Sequence, residues 1–305
     1  MGTPKKCCAS SSTRPPPLPG TNVPRKAAHP RSLEALARPD GLGSLAHYSN
    51  PAFYTRAYRR RLKDVGYYVE LARQNGGPVL EYGVGNGRVA LPVARQGVSV
   101  TGIDLSRPML TDLKEQLKSE APEVARRISL KYGDMRKVKL KRRFPLIIAP
   151  FNVVLHLYQR TDVEAFLARV KDHLTPQGEF VFDYSLPQPG DLGRDPNRRY
   201  RVPPFVDPTT QARVHSSERF FYERFKQTLL VWSEYEPEGG EPWDVPLTHR
   251  QFFPQEMEAL LHYNGFEITA YCPDFAQQGW LNWVDSLVVH CRLRRPRSRK
   301  RQKSH

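Results

Sequence analysis

The sequence predicts an α/β fold, a mostly parallel sheet covered on both faces by helices, with an antiparallel β insertion after the fifth strand. Three observations carry this. From Pro78 to Asp183 short apolar runs alternate with helical patterns, the order that builds a parallel sheet through crossover helices. A glycine turn, Gly83-Val84-Gly85-Asn86-Gly87, joins the first of those runs to the helix behind it. Beyond residue 187 the alternation stops, and three aromatic, partly alternating runs follow one another with no helix between them.

Residues 1 to about 45 show no hydrophobic period. Pro15-Pro16-Pro17-Leu18-Pro19, Ser/Thr clusters and scattered basic residues read as a disordered extension, with a short helix around Ser32 to Ala37. A helical pattern runs from Pro51 to Gln74 through Phe53, Tyr54, Tyr58, Val65, Tyr68, Val69 and Leu71. Pro78 to Tyr82 is the first strand, and the helix after the glycine turn carries Val89, Ala90, Leu91, Val93 and Ala94 before Gln96-Gly97. Val98 to Asp104 is the second strand. Ser106 is an N-cap with Pro108 close behind it, and that helix reaches about Ser119. Ile128 to Tyr132 and Pro145 to Ala149 are the third and fourth strands. Thr161-Asp162-Val163-Glu164 reads as a capping box for a helix through Phe166, Val170 and Leu174. Pro176-Gln177-Gly178 then turns into the fifth strand, Glu179 to Asp183.

Residues 187 to 208, rich in Pro, Gly, Asp and Arg, read as a loop. Arg213 to Tyr222, Thr228 to Glu236 and Val245 to Phe252 read as three antiparallel strands. A helix at Pro254 to Tyr263 stops at Asn264-Gly265. Phe266 to Cys272 and Ser286 to Leu293 are the last two strands. The expected organisation is an extension at 1–45, a main domain over 46–186 and 252–293, an insertion at 187–251 that roofs the substrate, and a disordered basic tail at 294–305.

The net charge of +16 invites a nucleic-acid partner, so its location matters. Residues 1–47 hold seven Lys/Arg against two Asp/Glu, and residues 292–305 hold eight Lys/Arg and no acid, which leaves only +3 on the chain between. Nucleic acid is therefore expected, if at all, through the tails alone. No apolar run reaches the roughly 18–20 residues of a membrane span, and no apolar segment follows Lys5 and Lys6 as a secretory signal requires. Lys6 stands where a myristoylation signal needs Ser or Thr. Cys7, Cys8, Cys272 and Cys291 match no zinc spacing and no disulfide framework. These features predict a cytoplasmic protein without metal or membrane partner, and a homodimer is the oligomer considered.

A GxGxG turn after a strand is compatible with NAD, FAD or S-adenosylmethionine. Glu81, immediately before the turn, would face a pyrophosphate unfavourably and suits a cationic ligand such as a methionyl ammonium. Asp104 ends the second strand, where an acid grips ribose hydroxyls. Gly133-Asp134-Met135 ends the third and offers an acceptor and a thioether for an adenine amino group and ring face. The plainer alternatives are a helix-capping Asp104, a solvated Asp134 and a core Met135. All three lie at carboxyl ends of successive strands, where open α/β sheets bind ligands.

Leu80-Glu81-Tyr82-Gly83-Val84-Gly85-Asn86-Gly87-Arg88, with Gly102-Ile103-Asp104-Leu105-Ser106 and Gly133-Asp134-Met135-Arg136, resembles the class I S-adenosylmethionine-dependent methyltransferases. The resemblance covers about Tyr48 to Leu186 and more loosely the chain to Leu293. It implies a Rossmann-like seven-stranded sheet whose last strand is antiparallel, and S-adenosyl-L-methionine as cofactor. The cofactor contacts it implies are Glu81, Tyr82, Gly83, Gly85, Asn86, Arg88, Asp104, Leu105, Met109, Asp134, Met135 and Pro150. Tyr82, Val84 and Asn86 depart from the commoner Gly-Cys-Gly-Thr-Gly wording, while the glycines are kept. Within the class, Phe53-Tyr54-Thr55-Arg56-Ala57-Tyr58 and Phe151-Asn152-Val153-Val154-Leu155-His156-Leu157 resemble segments of amino-sugar and glycine-type N-methyltransferases. The resemblance is thin within the insertion.

Methyl transfer from a sulfonium needs a neutral nucleophile held in line in a water-poor pocket. His156 is the expected base, because an imidazole titrates near neutrality. Tyr54 is expected beside it as a catalytic group, with Tyr58, Asn152 and His156 contacting substrate. Core packing of a tyrosine and a backbone-satisfied His156 are the structural alternatives. The expected function is N-methylation of a small-molecule amine. The rivals are an RNA or protein methyltransferase that uses the basic tails and a non-catalytic cofactor-binding protein.

Overall fold

The computed structural model describes residues 45–207, 209–276 and 284–294. The helix expected at Ser32 to Ala37, Cys7, Cys8 and nearly all of both basic tails lie outside the described residues. Among the described residues, no helix is long and apolar enough to cross a membrane.

The elements in chain order are a 3₁₀ turn at Ala46–Tyr48, α1 (Pro51–Tyr58), α2 (Lys63–Asn75), β1 (Val79–Tyr82), α3 (Ala90–Arg95), β2 (Val100–Asp104), α4 (Arg107–Lys118), α5 (Pro122–Ala125), β3 (Ile128–Tyr132), β4 (Phe144–Ala149), a 3₁₀ turn at Val153–His156, α6 (Arg160–His173) and β5 (Leu174–Ser185). Then follow α7 (Pro189–Leu192), β6 (Tyr200–Val206), β7 (Arg213–Glu223), β8 (Thr228–Pro237), β9 (Trp243–Arg250), α8 (Pro254–Tyr263), β10 (Phe266–Pro273) and β11 (Ser286–Leu293).

The main sheet has seven strands in the order β10-β11-β5-β4-β1-β2-β3. β1 to β5 pair in parallel, and β11 runs antiparallel between β5 and β10. All four residues of β1 are buried, because helices cover both faces and leave no side for polar alternation. On one face Tyr68 and Ala72 of α2, Val93 of α3 and Leu110 and Leu113 of α4 pack on Val79, Val100 and Ile148. On the other, Phe166 and Val170 of α6 and Met257 and Leu261 of α8 meet Phe180, Phe182 and Phe266.

Several boundaries differ from the sequence reading. The pattern from Pro51 to Gln74 is two helices, broken at residues 59–62. Phe53 of α1 packs on rings of the small sheet, whereas Tyr68 of α2 enters the main core; one straight axis cannot serve both. The cap of α6 is Gln159, whose N–H donates to the Asp162 carboxylate at 3.2 Å, so the helix starts before the box expected at Thr161. Pro176-Gln177-Gly178 sits inside the span of β5 as a register break between Leu174 and Glu179.

The insertion has four strands, ordered β6-β7-β8-β9, not three. β6 occupies the stretch read as loop. Its Pro203 and Pro204 coincide with a register shift, which an edge strand tolerates because one side of its backbone needs no partner.

Candidate active site

The carboxyl ends of β1, β2, β3 and β4 enclose a cavity of about 140 Å3. The glycine turn forms its floor. Gly83 takes φ +68°, and a Cβ there would stand 2.3 Å from Val153 Cγ2. Gly87 is closed in the same way by Leu113. Gly83 and Gly85 both line the cavity, and at Gly85 an added Cβ would meet nothing closer than Met109 Cε at 3.3 Å, whereas Gly87 serves packing alone. The turn runs to Val89, which caps α3 and lines the cavity, so the helix begins one residue later than the sequence reading placed it.

Glu81 is 2% exposed and its Oε2 has no hydrogen-bond partner. Burial pushes its carboxyl well above the ordinary range, with Arg88 opposing and Asp104 adding to the effect. An unpaired buried carboxylate is costly, and a cationic group in the cavity would relieve it. Asp104 accepts the Gly85 N–H on Oδ2 and the Ser106 N–H on Oδ1, both at 2.7 Å. It thus joins the glycine turn to the start of α4, as the capping alternative required, and each oxygen keeps a lone pair for the cavity.

Asp134 is gripped by Arg136, whose Nη1 also reaches Asp162 at 2.6 Å. Burial works against the charge, but these contacts hold the Asp134 carboxyl below the usual range. Asp134, Met135, Met109, Leu105, Pro150, Asn86 and Arg88 all line the cavity. Besides Asp134, two of them already have protein partners. Arg88 pairs with the buried Asp64 and lies 4.4 Å from the Phe151 ring centroid. The Asn86 amide donates to Thr55 Oγ1 at 2.8 Å and to Asp112.

Three residues expected at the site do not line this cavity. Tyr82 points into the opposite core, its hydroxyl 2.7 Å from His173 Nδ1. Successive strand side chains alternate between faces, so Glu81 and Tyr82 part there. Asn152 adopts φ +66° and its Oδ1 accepts the Ser185 N–H at 2.6 Å, which anchors the loop and turns the amide from the cavity. Tyr58 borders a second cavity, described below.

Residues 46–58 lie over the first cavity. Ser106 Oγ donates to the Tyr48 carbonyl at 3.1 Å, Tyr54 is buried, and the Tyr48 hydroxyl is 2.8 Å from His156 Nε2. Behind His156 stands His249 of β9, with ring centroids 5.1 Å apart. Burial pushes His156 down to about 4, with His47 adding to the effect; burial takes His47 to about 4 as well and His249 well below its ordinary value. The expectation that His156 titrates near neutrality is therefore corrected: a desolvated imidazole surrounded by rings stays neutral.

Sequence reasoning missed Tyr48, His47, His249 and Asp183. Asp183 Oδ1 accepts from the Tyr68 hydroxyl (2.7 Å) and the Phe151 N–H (2.8 Å), and so fixes the positive-φ pair Phe151-Asn152 that aims His156 at the cavity. Only the position of Asp183 at a strand's carboxyl end hinted at such a role.

Residues 79–178 match the family model described as a methyltransferase domain. YqeM of Bacillus subtilis (strain 168) is 24% identical over 217 residues, covering 68% of this chain and 81% of that protein. The dTDP-3-amino-3,6-dideoxy-alpha-D-glucopyranose N,N-dimethyltransferase of Streptomyces fradiae is 28% identical over 126 residues, 41% of this chain and 46% of that enzyme. Among solved structures, the CcbJ methyltransferase of Streptomyces caelestis superposes with a TM-score of 0.66 at 25% identity, over 76% of this chain and 95% of that one.

Proposed function

Starting from a chain that is an S-adenosylmethionine-dependent methyltransferase with a Rossmann-like fold, we propose that its acceptor is an amine nitrogen on a small molecule. The observation that carries this is the uncharged wall of His47, Tyr48, Tyr54 and His156 between the cofactor cavity and the space beneath the four-stranded sheet. An enclosed, neutral wall disfavours an ammonium and favours the free amine, the only form with a lone pair to give. The partial match to a sugar N,N-dimethyltransferase supports the same reading.

When bound, S-adenosylmethionine supplies an electrophilic methyl group on a sulfonium. Glu81 would hold its ammonium, Asp104 its ribose hydroxyls, and Leu105, Met109 and Met135 its adenine face. The unpartnered Glu81 Oε2 is the observation that fits that group to this site. Tyr54 and the 46–58 segment exclude water. Neutral His156, tied to the Tyr48 hydroxyl, orients the amine by a hydrogen bond and does not store its proton.

The test is methyl transfer to matched amine and hydroxyl acceptors by wild type and His156→Ala. Amine-selective turnover is expected, about 100-fold slower in the variant through lost orientation, with no wild-type inflection from this histidine above pH 5. Hydroxyl preference, or full activity in the variant, would overturn the reading.

A further inference from the structure

The four-stranded sheet and α1 enclose a second cavity, of about 770 Å3. Its ceiling follows strand alternation. Ser216, Glu218 and Phe220 of β7 pair with Tyr235, Ser233 and Val231 of β8, and all six face the cavity. On the opposite face of the same strands acids and arginines pair with one another: Arg219 lies 3.0 Å from Glu234, which also accepts from Ser217 Oγ and pairs with Arg199. On the cavity face Glu218 makes no side-chain hydrogen bond or ion pair among the described residues. Burial raises its carboxyl, with Arg194 opposing. Arg194 is otherwise engaged, paired with Asp191 at 2.9 Å and set over the Tyr200 and Phe220 rings.

Beside Glu218 stand three rings: Phe53 lies 5.5 Å from Phe205 and 5.0 Å from Tyr235, centroid to centroid, and Phe205 is 6.0 Å from Tyr235. Aromatic faces with one carboxylate are the surroundings that recognise an amine cation. The opposite charge gathers on α1 and just past it. Arg56, Arg59 and Arg60 line the cavity with no carboxylate partner among the described residues, and Arg56 is held only by the Val206 carbonyl. Guanidinium groups unmatched by protein acids suit carboxylate or phosphate oxygens. His47 and Tyr58 line this cavity while their neighbours Tyr48 and Tyr54 line the first, so the same segment, residues 46–58, borders both.

We propose that this second cavity is the acceptor site and that it selects an amphoteric small molecule. The basic amine is received by Glu218 and the three rings, and a carboxylate or phosphate on the same molecule by Arg56, Arg59 and Arg60. The proposal rests on the reading that the acceptor is an amine. Glu218 binds the amine as its cation on arrival and keeps the proton as the free amine moves on to the neutral wall, so the carboxylate that received the cation is left as the carboxylic acid.

Calorimetry on the full chain saturated with S-adenosylhomocysteine, titrated with ethanolamine, β-alanine and O-phosphoethanolamine, tests it. At least one of the two amphoteric probes should bind tenfold or more tighter than ethanolamine, and which one does so separates the carboxylate from the phosphate source. Arg59→Ala with Arg60→Ala should bring that probe to the ethanolamine level. Glu218→Gln should weaken all three probes about tenfold and leave S-adenosylhomocysteine affinity unchanged, which also reports that the variant is folded. Equal binding of all probes, binding of none, or selectivity that survives the arginine changes overturns the proposal. Methyl transfer to a panel of amines is measured alongside. Turnover with no preference for an anionic group refutes only the charge selection, whereas charge-selective binding without turnover on any amine refutes the amine reading.

Discussion

Replacing Glu81 by glutamine probes the proposed cofactor site at a buried carboxyl that has an oxygen without a partner among the described residues. The side chain is 2% exposed, its Oε2 is unpartnered, and burial keeps its carboxyl well above the usual range in the ligand-free protein. A cation placed beside it reverses that balance, so the carboxyl ionises and sheds its proton as the ligand binds. Glutamine keeps the shape and loses the charge. A hydrogen bond to a charged partner is worth ~1.5–3 kcal/mol, so S-adenosylmethionine affinity falls by about 10- to 150-fold at roughly 1.4 kcal/mol per tenfold. Calorimetry across a pH series from 5 to 8, in two buffers of different ionisation enthalpy, reads affinity and proton release together. Wild type releases a proton that Glu81→Gln does not. Lowering the pH protonates Glu81 and weakens wild-type binding, and the variant lacks that loss. Affinities within twofold and equal proton release would refute the argument.

Two predictions concern the scaffold of the site. Asp183 has its carboxyl pushed up to about 6 by burial, above the roughly 3.9 of an unfolded chain. Its contribution to stability is therefore full below about pH 4 and lost as the pH rises through 6, ~2–3 kcal/mol in all. Asp183→Asn keeps an acceptor for Tyr68 and Phe151 and cannot titrate, so its unfolding free energy should gain on wild type between pH 4 and 7; a constant difference across that range would count against it. Gly83→Ala sets a Cβ 2.3 Å from Val153 at φ +68°. Left-handed strain and overpacking together should cost ~2–5 kcal/mol, read by denaturant unfolding, and a loss below about 1 kcal/mol would mean that the turn relaxes freely.

Period and punctuation made most of the fold legible. Buried strands such as Phe144–Ala149 are continuous apolar runs, and Ser106 with Pro108 marked a helix start that the structure keeps. What misled were features whose meaning depends on neighbours. Pro203-Pro204 reads as loop until an adjacent strand makes it an edge, and the pattern from Pro51 to Gln74 reads as one helix until two separate cores claim its halves.

At the site, sequence alone determined the chemistry near the strand ends: the glycine turn, Glu81, Asp104 and Asp134 follow from strand-turn-helix punctuation. Tertiary structure decided which groups remain available. Arg88, Asn86 and Asp134 are partnered by Asp64, Thr55 and Arg136, Tyr82 faces the other core, and His156 is neutral because His47, Tyr48 and His249 exclude water from it. The reason is that a residue's type is local, while its desolvation and, Asp134 with its near neighbour Arg136 apart, its hydrogen-bond partners come from segments 24 to 108 positions away that only the folded chain brings together.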